Sequence, residues 1–370
     1  MNSLPQTMRA VVLTGHGGLD KLEYHQDWPT PEPSAGDVVV KVAACGLNNT
    51  DINTRTAWYS KSVTEGITDA GGKSGFDSAD AETGSWGNST ITFPRIQGAD
   101  ITGEIAAVGD GVDASRIGQR VMIDPWLLAT GDYMDTSRSQ YLGSEVDGGF
   151  ADYVCVRSEN VIAVNSTQSD AELATYACAY TTAENLIRRT GLQPGETVAI
   201  AGASGGVGSA AIQLCRLRGA RVIGIASQSK ADTVLSLGAG TVIDRGEKNL
   251  EQAVRDAAGG ALDVALDVVG DTMFMPLINA LRQGGRYSTS GCIAGPLVEF
   301  DLRQLVYKDL QLTGATIVPP GTMNRIVGLI NQDLLKPMLA QSFPLKDLAE
   351  AQKAFIDKKY VGNIVVTHEP

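Results

Sequence analysis

Residues 197–230, TVAIAGASGGVGSAAIQLCRLRGARVIGIASQSK, decide the fold. A β-branched apolar run (Thr197–Ala201) meets a tight turn, Gly202-Ala203-Ser204-Gly205-Gly206-Val207-Gly208. A helix-forming stretch (Ser209–Leu217) and a second apolar run (Arg221–Ala226) follow. This strand–turn–helix–strand order predicts a dinucleotide-binding unit. In the pattern A-x-G-x-x-G, formed by Ala203, Gly205 and Gly208, Gly205 lets the backbone approach a pyrophosphate and Gly208 lets helix and strand pack closely. The amides that open the helix, in the stretch Ser204, Gly206 and Val207, then face the phosphates. The competing reading is a glycine-rich turn that binds nothing.

The end of the second run separates NAD from NADP. An NAD site places an acidic residue there, roughly 20 residues past the glycines, to hold the ribose hydroxyls. This chain reads Ile225-Ala226-Ser227-Gln228-Ser229-Lys230, with no carboxylate before Asp232. Ser227 and Lys230 suit a 2′-phosphate, and Arg245, just after a third apolar run, can close on the same group. NADPH is therefore the expected coenzyme. Ordinary solvated charge is the plainer account of Lys230 and Arg245.

At 370 residues the chain is long enough for two domains with their own cores. It is 43% hydrophobic and 19% charged, a balance typical of globular proteins. No apolar run approaches a membrane span, and the start MNSLPQTMRAVVLTG shows no secretory signal, so a cytoplasmic location is expected. The net charge of −12 argues against nucleic acid and anionic membrane surfaces as partners. The five cysteines are scattered without a C-x-x-C pair and read as small buried hydrophobes.

Up to about residue 165, short β-type runs are separated by Gly and Pro, which predicts a small antiparallel barrel. From there to about 317, apolar runs alternate with helical stretches and predict a doubly wound parallel sheet. The expected domains are thus 1–165 with 318–370, and 166–317, the tail returning to the first through Asn363–Thr367. Residues 65–90 break the pattern with six glycines and five acids, a segment that reads as a loop too polar to pack. A lid and an idle insertion are equally good accounts of it. The apolar run Leu310–Thr316 would leave an exposed sheet edge, so a homodimer is expected.

Several stretches together resemble the medium-chain dehydrogenase/reductase family: GDVVVKV (36–42), CGLNNTD (45–51), GADITGEIAAVG (98–109), GGFADYV (148–154), the nucleotide turn, LDVVG (266–270), LRQGGRYSTSG (281–291) and VGNIVV (361–366). The resemblance implies a GroES-like, partly open β-barrel catalytic domain beside a Rossmann domain, with coenzyme and substrate in the cleft between them. It adds Val269, Gly291 and Asn363 to the coenzyme set. Zinc-binding members carry a cysteine where this chain has Asn48 and a histidine where it has Ala99. Cys178 with Asp100 falls short of a catalytic zinc set, so no metal is expected. The four-cysteine lobe is also missing, since residues 124–147 contain no cysteine.

Asn48 and Asp51 in this pattern look like the quinone oxidoreductase branch, which implies that Asn48 and Tyr59 line the substrate pocket. The expected activity is hydride transfer from NADPH to a quinone or an α,β-unsaturated carbonyl. Asn48 would steady the developing oxyanion, and Tyr59 or water would supply the proton. An alcohol dehydrogenase or carbonyl reductase of the same family, working without zinc or with a metal at another site, is the main alternative, and a non-catalytic NADPH-binding protein the second. Plainer roles stand beside these: Asn48 as a helix cap, Asp51 as a structural group, Tyr59 packed with Trp58, and Cys178 as inert packing.

Overall fold

Short β-branched runs are stable only when paired into sheets, and the computed structural model of the chain shows where each one goes. It describes residues 4–67, 69–80, 91–128, 132–135, 137 and 139–368. Two compact units result: Met1–Val63, Asp69–Cys178 and Pro320–Pro370 form one, Thr64–Thr68 and Ala179–Pro319 the other. No helix among the described residues is long and apolar enough to cross a membrane.

The chain opens with β1 (Thr7–Leu13), β2 (Leu22–Pro29) and β3 (Asp37–Gly46), then helices α1 (Asn49–Arg55) and α2 (Asp69–Ser74). There follow β4 (Arg95–Ile96), β5 (Asp100–Val108), β6 (Arg120–Ile123), β7 (Trp126–Leu127), β8 (Gln140–Tyr141), β9 (Tyr153–Arg157), β10 (Val161–Ala163) and α3 (Asp170–Leu173). β2 escapes the sequence reading because it is an outer strand of the sheet β2-β1-β4 and keeps few apolar residues. Residues 166–178 pack in the first unit: Arg120 donates to Asp170 at 2.8 Å, and Thr102 Oγ1 donates to the Asp170 carbonyl at 2.9 Å. Sequence periodicity put the switch earlier, at about 165, because a long-range ion pair leaves no local trace.

The second unit takes most of α4 (Ala177–Thr190) and then alternates as the periodicity requires: β11 (Thr197–Ala201), α5 (Gly206–Leu217), β12 (Arg221–Ala226), α6 (Ala231–Ser236), β13 (Thr241–Asp244) and α7 (Leu250–Ala258). It continues with β14 (Leu262–Asp267), α8 (Phe274–Ala280), β15 (Leu281–Thr289), α9 (Leu302–Tyr307) and β16 (Gln311–Gly314). The six strands are parallel in the order β13-β12-β11-β14-β15-β16. β11 is buried at every residue, as expected of a central strand covered on both faces. The order reverses between β11 and β14, the switch point beside which ligands bind at the strands' carboxyl ends.

The tail adds α10 (Thr322–Asn331), β17 (Leu339–Pro344), α11 (Leu348–Asp357) and β18 (Asn363–Thr367). β18 pairs antiparallel with β3 and closes the main sheet of the first unit, β10-β6-β5-β3-β18-β17, with β9 also on β3.

α1 carries a polar sequence, NTDINTR, yet Asp51 to Arg55 are all buried. Arg55 explains how. Its Nε donates to Gln352 Oε1 at 2.8 Å, Nη1 to the Gly17 carbonyl at 2.8 Å and Nη2 to the Gly72 carbonyl at 2.6 Å. Burial pulls its pKa down to about 10, so the side chain stays charged at neutral pH. This overturns the expectation that 65–90 is wholly a loop too polar to pack. Its early part folds as α2, tied to the first unit by Arg55 and by the Lys73–Asp357 ion pair at 3.0 Å. Residues 68 and 81–90 of that stretch lie outside the described residues.

Replacing Arg55 with Met keeps the bulk but strands three acceptors, two of them buried. It should cost on the order of 3 kcal/mol, read as a lower urea midpoint.

Candidate functional site

In the first unit, three chain junctions converge on one buried polar cluster: the turn from β3 into α1, the entry to β5, and the start of α4. Asn48 is the N-cap of α1, so the helix-cap role foreseen for it is real. Its backbone N–H donates to Asp51 Oδ2 at 2.8 Å, which occupies Asp51 in holding the turn. Gln97 Nε2 in turn donates to the Asp51 carbonyl at 2.9 Å. Asp100, at the head of β5, accepts the Cys178 backbone N–H at 2.6 Å.

Neither carboxyl has a cationic partner among the described residues. Burial therefore pushes both up to about 7: desolvation dominates, the charge of Asp100 adds to the shift of Asp51, and backbone amides work against it. The Asn48 amide sits close enough to Asp100 to help hold that carboxyl down. Yet Nδ2 itself is buried and completes no hydrogen bond of good geometry. A primary amide donor shielded from water with so poorly aligned an acceptor is uncommon in a native fold.

Tyr59 joins this cluster. Burial pushes its phenol up to about 12, partly offset by hydrogen bonds with the Thr50 and Asn53 side chains, while Cys178 and Asp51 lie near enough to add to the shift. Its neighbour Trp58 is buried and stacks edge-on at 5.9 Å, so packing and a polar role coexist in Tyr59. Cys178 is half-buried and hydrogen-bonds the Tyr141 side chain. Tyr141, Thr50 and Asn53 escaped the sequence reading, because only folding brings 141 beside 178. Asp100 had entered it only as half of an incomplete metal set.

That donor set does not fit zinc. The positions hold an amide (Asn48), a methyl (Ala99), a carboxyl engaged by a backbone amide (Asp100) and one thiol (Cys178), where a catalytic zinc needs three ligating side chains. No group of three His, Cys, Asp or Glu side chains able to hold a metal occurs among the described residues.

In the second unit the nucleotide turn has the shape its sequence implies. Gly205 caps α5, and a Cβ there would meet nothing nearer than the Gly202 carbonyl at 3.5 Å, so the approach to the helix start is open. A Cβ on Gly208 would fall 2.2 Å from that same carbonyl, so helix and strand touch there. Ala203 is buried and donates its N–H to the Ile225 carbonyl at 3.1 Å. The amides of Gly206, Val207 and Gly208 begin the helix with no earlier turn to accept them. These residues, with half-buried Ser204, fit a pyrophosphate.

Asp244 accepts the Gln228 N–H at 2.9 Å and the Gly246 N–H at 2.7 Å, holding the ends of β12 and β13 together. Ser227 lies on the first of these ends. Burial lowers the Lys230 pKa and the nearby Arg245 charge lowers it further, so two cations share one edge of the site. Val269 and Gly291 lie on the loops after β14 and β15. Asn363 belongs to the first unit, heading β18, with its amide donated to the Thr175 carbonyl at 3.4 Å.

The buried carboxyls carry a pH signature. Their folded pKa values lie above the unfolded value of 3.8, so the fold holds extra protons between about pH 4 and 7 and loses stability as pH rises through that window. Asp100→Asn removes one such group. It should stabilise the protein more at pH 8 than at pH 5, and a flat difference between urea midpoints at the two pH values would refute this.

The family model described as alcohol dehydrogenase GroES-like domain matches residues 34–166, and that described as zinc-binding dehydrogenase matches 206–332. A solved structure from Sinorhizobium meliloti 1021, provisionally assigned as an alcohol dehydrogenase, is 42% identical with a TM-score of 0.91, covering 100% of this chain and 99% of its own. The acryloyl-coenzyme A reductase of Metallosphaera sedula is 26% identical over 97% of this chain and 100% of its own length. The quinone oxidoreductase of Rattus norvegicus is 25% identical over 94% of both. With both halves matched and a relative of this similarity along its whole length, the chain is an oxidoreductase of the medium-chain dehydrogenase/reductase family, whose members bind a nicotinamide dinucleotide.

Proposed function

We propose that this chain reduces an electron-poor acceptor, a quinone or an α,β-unsaturated carbonyl, with NADPH and without zinc. The observation that carries the reading is the Asn48 Nδ2 donor, buried against Asp100 without a hydrogen bond of good geometry, in the cluster that also holds Tyr59 and Cys178. When bound, the coenzyme supplies the hydride. The acceptor's carbonyl oxygen then gains negative charge, and the Asn48 amide is the group that stabilises it, held in place because Asp51 fixes its backbone. Tyr59, with its pKa raised to about 12, keeps its proton across the physiological range and can give it to the α-carbon of the enolate formed from an enone, or to the oxygen of a reduced quinone. A conjugated carbonyl needs no Lewis acid to accept a hydride, which suits a donor set unfit for zinc.

The Lys230–Arg245 pair supports NADPH over NADH, since a 2′-phosphate relieves the repulsion between two neighbouring cations. The relatives described as quinone oxidoreductase and acryloyl-coenzyme A reductase agree with the acceptor class. The alcohol dehydrogenase assignment of the 42%-identical structure favours a second reading, a zinc-independent carbonyl reductase.

The deciding assay follows NADPH and NADH oxidation against quinones, enones, enoyl thioesters, aldehydes and ketones. Turnover of quinones or enones is expected, with Asn48→Ala lowering kcat about 100-fold and Lys230→Ala eroding the preference for NADPH. Turnover confined to aldehydes and ketones would favour the second reading. Inactivity across the panel with nucleotide binding intact would leave a non-catalytic binder.

We infer further that the chain is a homodimer. Among the described residues β16 has a neighbour on one side only, and the adjoining α9 exposes Leu302, Val306 and Tyr307 at 67%, 63% and 74%. Sedimentation at micromolar concentration should show a dimer that Val306→Glu splits. A monomer under those conditions would overturn the assembly.

A further inference from the structure

Three layers of backbone stack at the carboxyl end of the parallel sheet. The innermost is the loop Val268–Gly270 after β14. It is shaped by Asp267, a buried carboxyl that accepts the Val269 N–H at 2.7 Å, the Gly270 N–H at 3.2 Å and the Tyr287 hydroxyl at 2.7 Å. Its Val268 and Val269 side chains close on the nucleotide turn, since a Cβ on Gly202 would lie 3.2 Å from each.

The loop after β15 lies on the first: Ala294 N–H donates to the Val269 carbonyl at 2.9 Å, and Gly270 and Gly295 are bridged. The third layer is Gly66–Ile67, far away in sequence. Ile67 N–H donates to the Ile293 carbonyl at 2.8 Å. Gly66 lies flush on the same backbone, where a Cβ would fall 2.4 Å from the Ala294 carbonyl oxygen and 2.7 Å from that of Ile293. Any side chain at 66 must lift this segment away.

Loops at the carboxyl ends of strands beside the switch point are where such a sheet holds its ligand. We propose that Gly66–Ile67 is a latch for the coenzyme: docked on Ile293–Ala294, it keeps Val268–Gly270 packed against the nucleotide turn in the form that binds the nucleotide. The inference rests on the coenzyme reading above and deepens it by naming positioning residues outside the nucleotide fold's own sequence. Coupling of this kind is reciprocal, so nucleotide binding must also hold the latch down.

The test uses the full chain with NADPH as the probe. Gly66→Val should weaken NADPH binding by calorimetry about tenfold, raising the KM for nucleotide more than it lowers kcat. In the unaltered protein, NADPH should slow hydrogen exchange at the Ile67 amide, a readout that does not depend on whether the variant folds. Unchanged affinity in Gly66→Val, or an Ile67 amide indifferent to NADPH, would overturn the latch and leave the coenzyme reading standing. Failure of the unaltered chain to bind NADPH would sink both.

Discussion

Two carboxyl groups buried with no cationic partner among the described residues set the terms for the first unit's polar cluster. Asp51 and Asp100 are desolvated together, and what steadies them is backbone: the amides of Asn48 and Cys178. Those amides sit where β3 turns into α1 and where α4 begins, so the ends of these elements must meet. A carboxyl that depends on backbone donors cannot be satisfied until the surrounding fold is complete. The same constraint holds the Asn48 side chain beside Asp100, because its backbone is already committed to the cap.

The side chains of this cluster do not make up a metal-ligand set among the described residues. At positions 48 and 99 this chain presents an amide and a methyl group, and the carboxyl of Asp100 turns inward to a backbone N–H. A cation would satisfy the carboxyl but compete with that contact.

The second unit solves a different problem with similar means. Its parallel strands end in loops whose backbone must be held without regular pairing, and Asp267 does this by collecting two amides and a phenol. Asp244 plays the same part at the ends of β12 and β13. Each is an acid closing an apolar run, legible in the sequence as LDVVG and TVID, although nothing local reveals which amides it gathers.

The nucleotide turn, the parallel strands and the substitutions at 48 and 99 were determined by the sequence itself, since each depends on a short-range pattern: a glycine spacing, an apolar run, one residue type at one place. Only the tertiary structure decided that α2 packs through Arg55, that Tyr141 meets Cys178, and that Gly66 lies on Ala294. These contacts join residues dozens to hundreds of positions apart, and such pairings obey no periodicity. Burial is decided in the same way: the pKa values of Asp51 and Asp100 belong to the assembled fold, because water is excluded only once distant segments close around them.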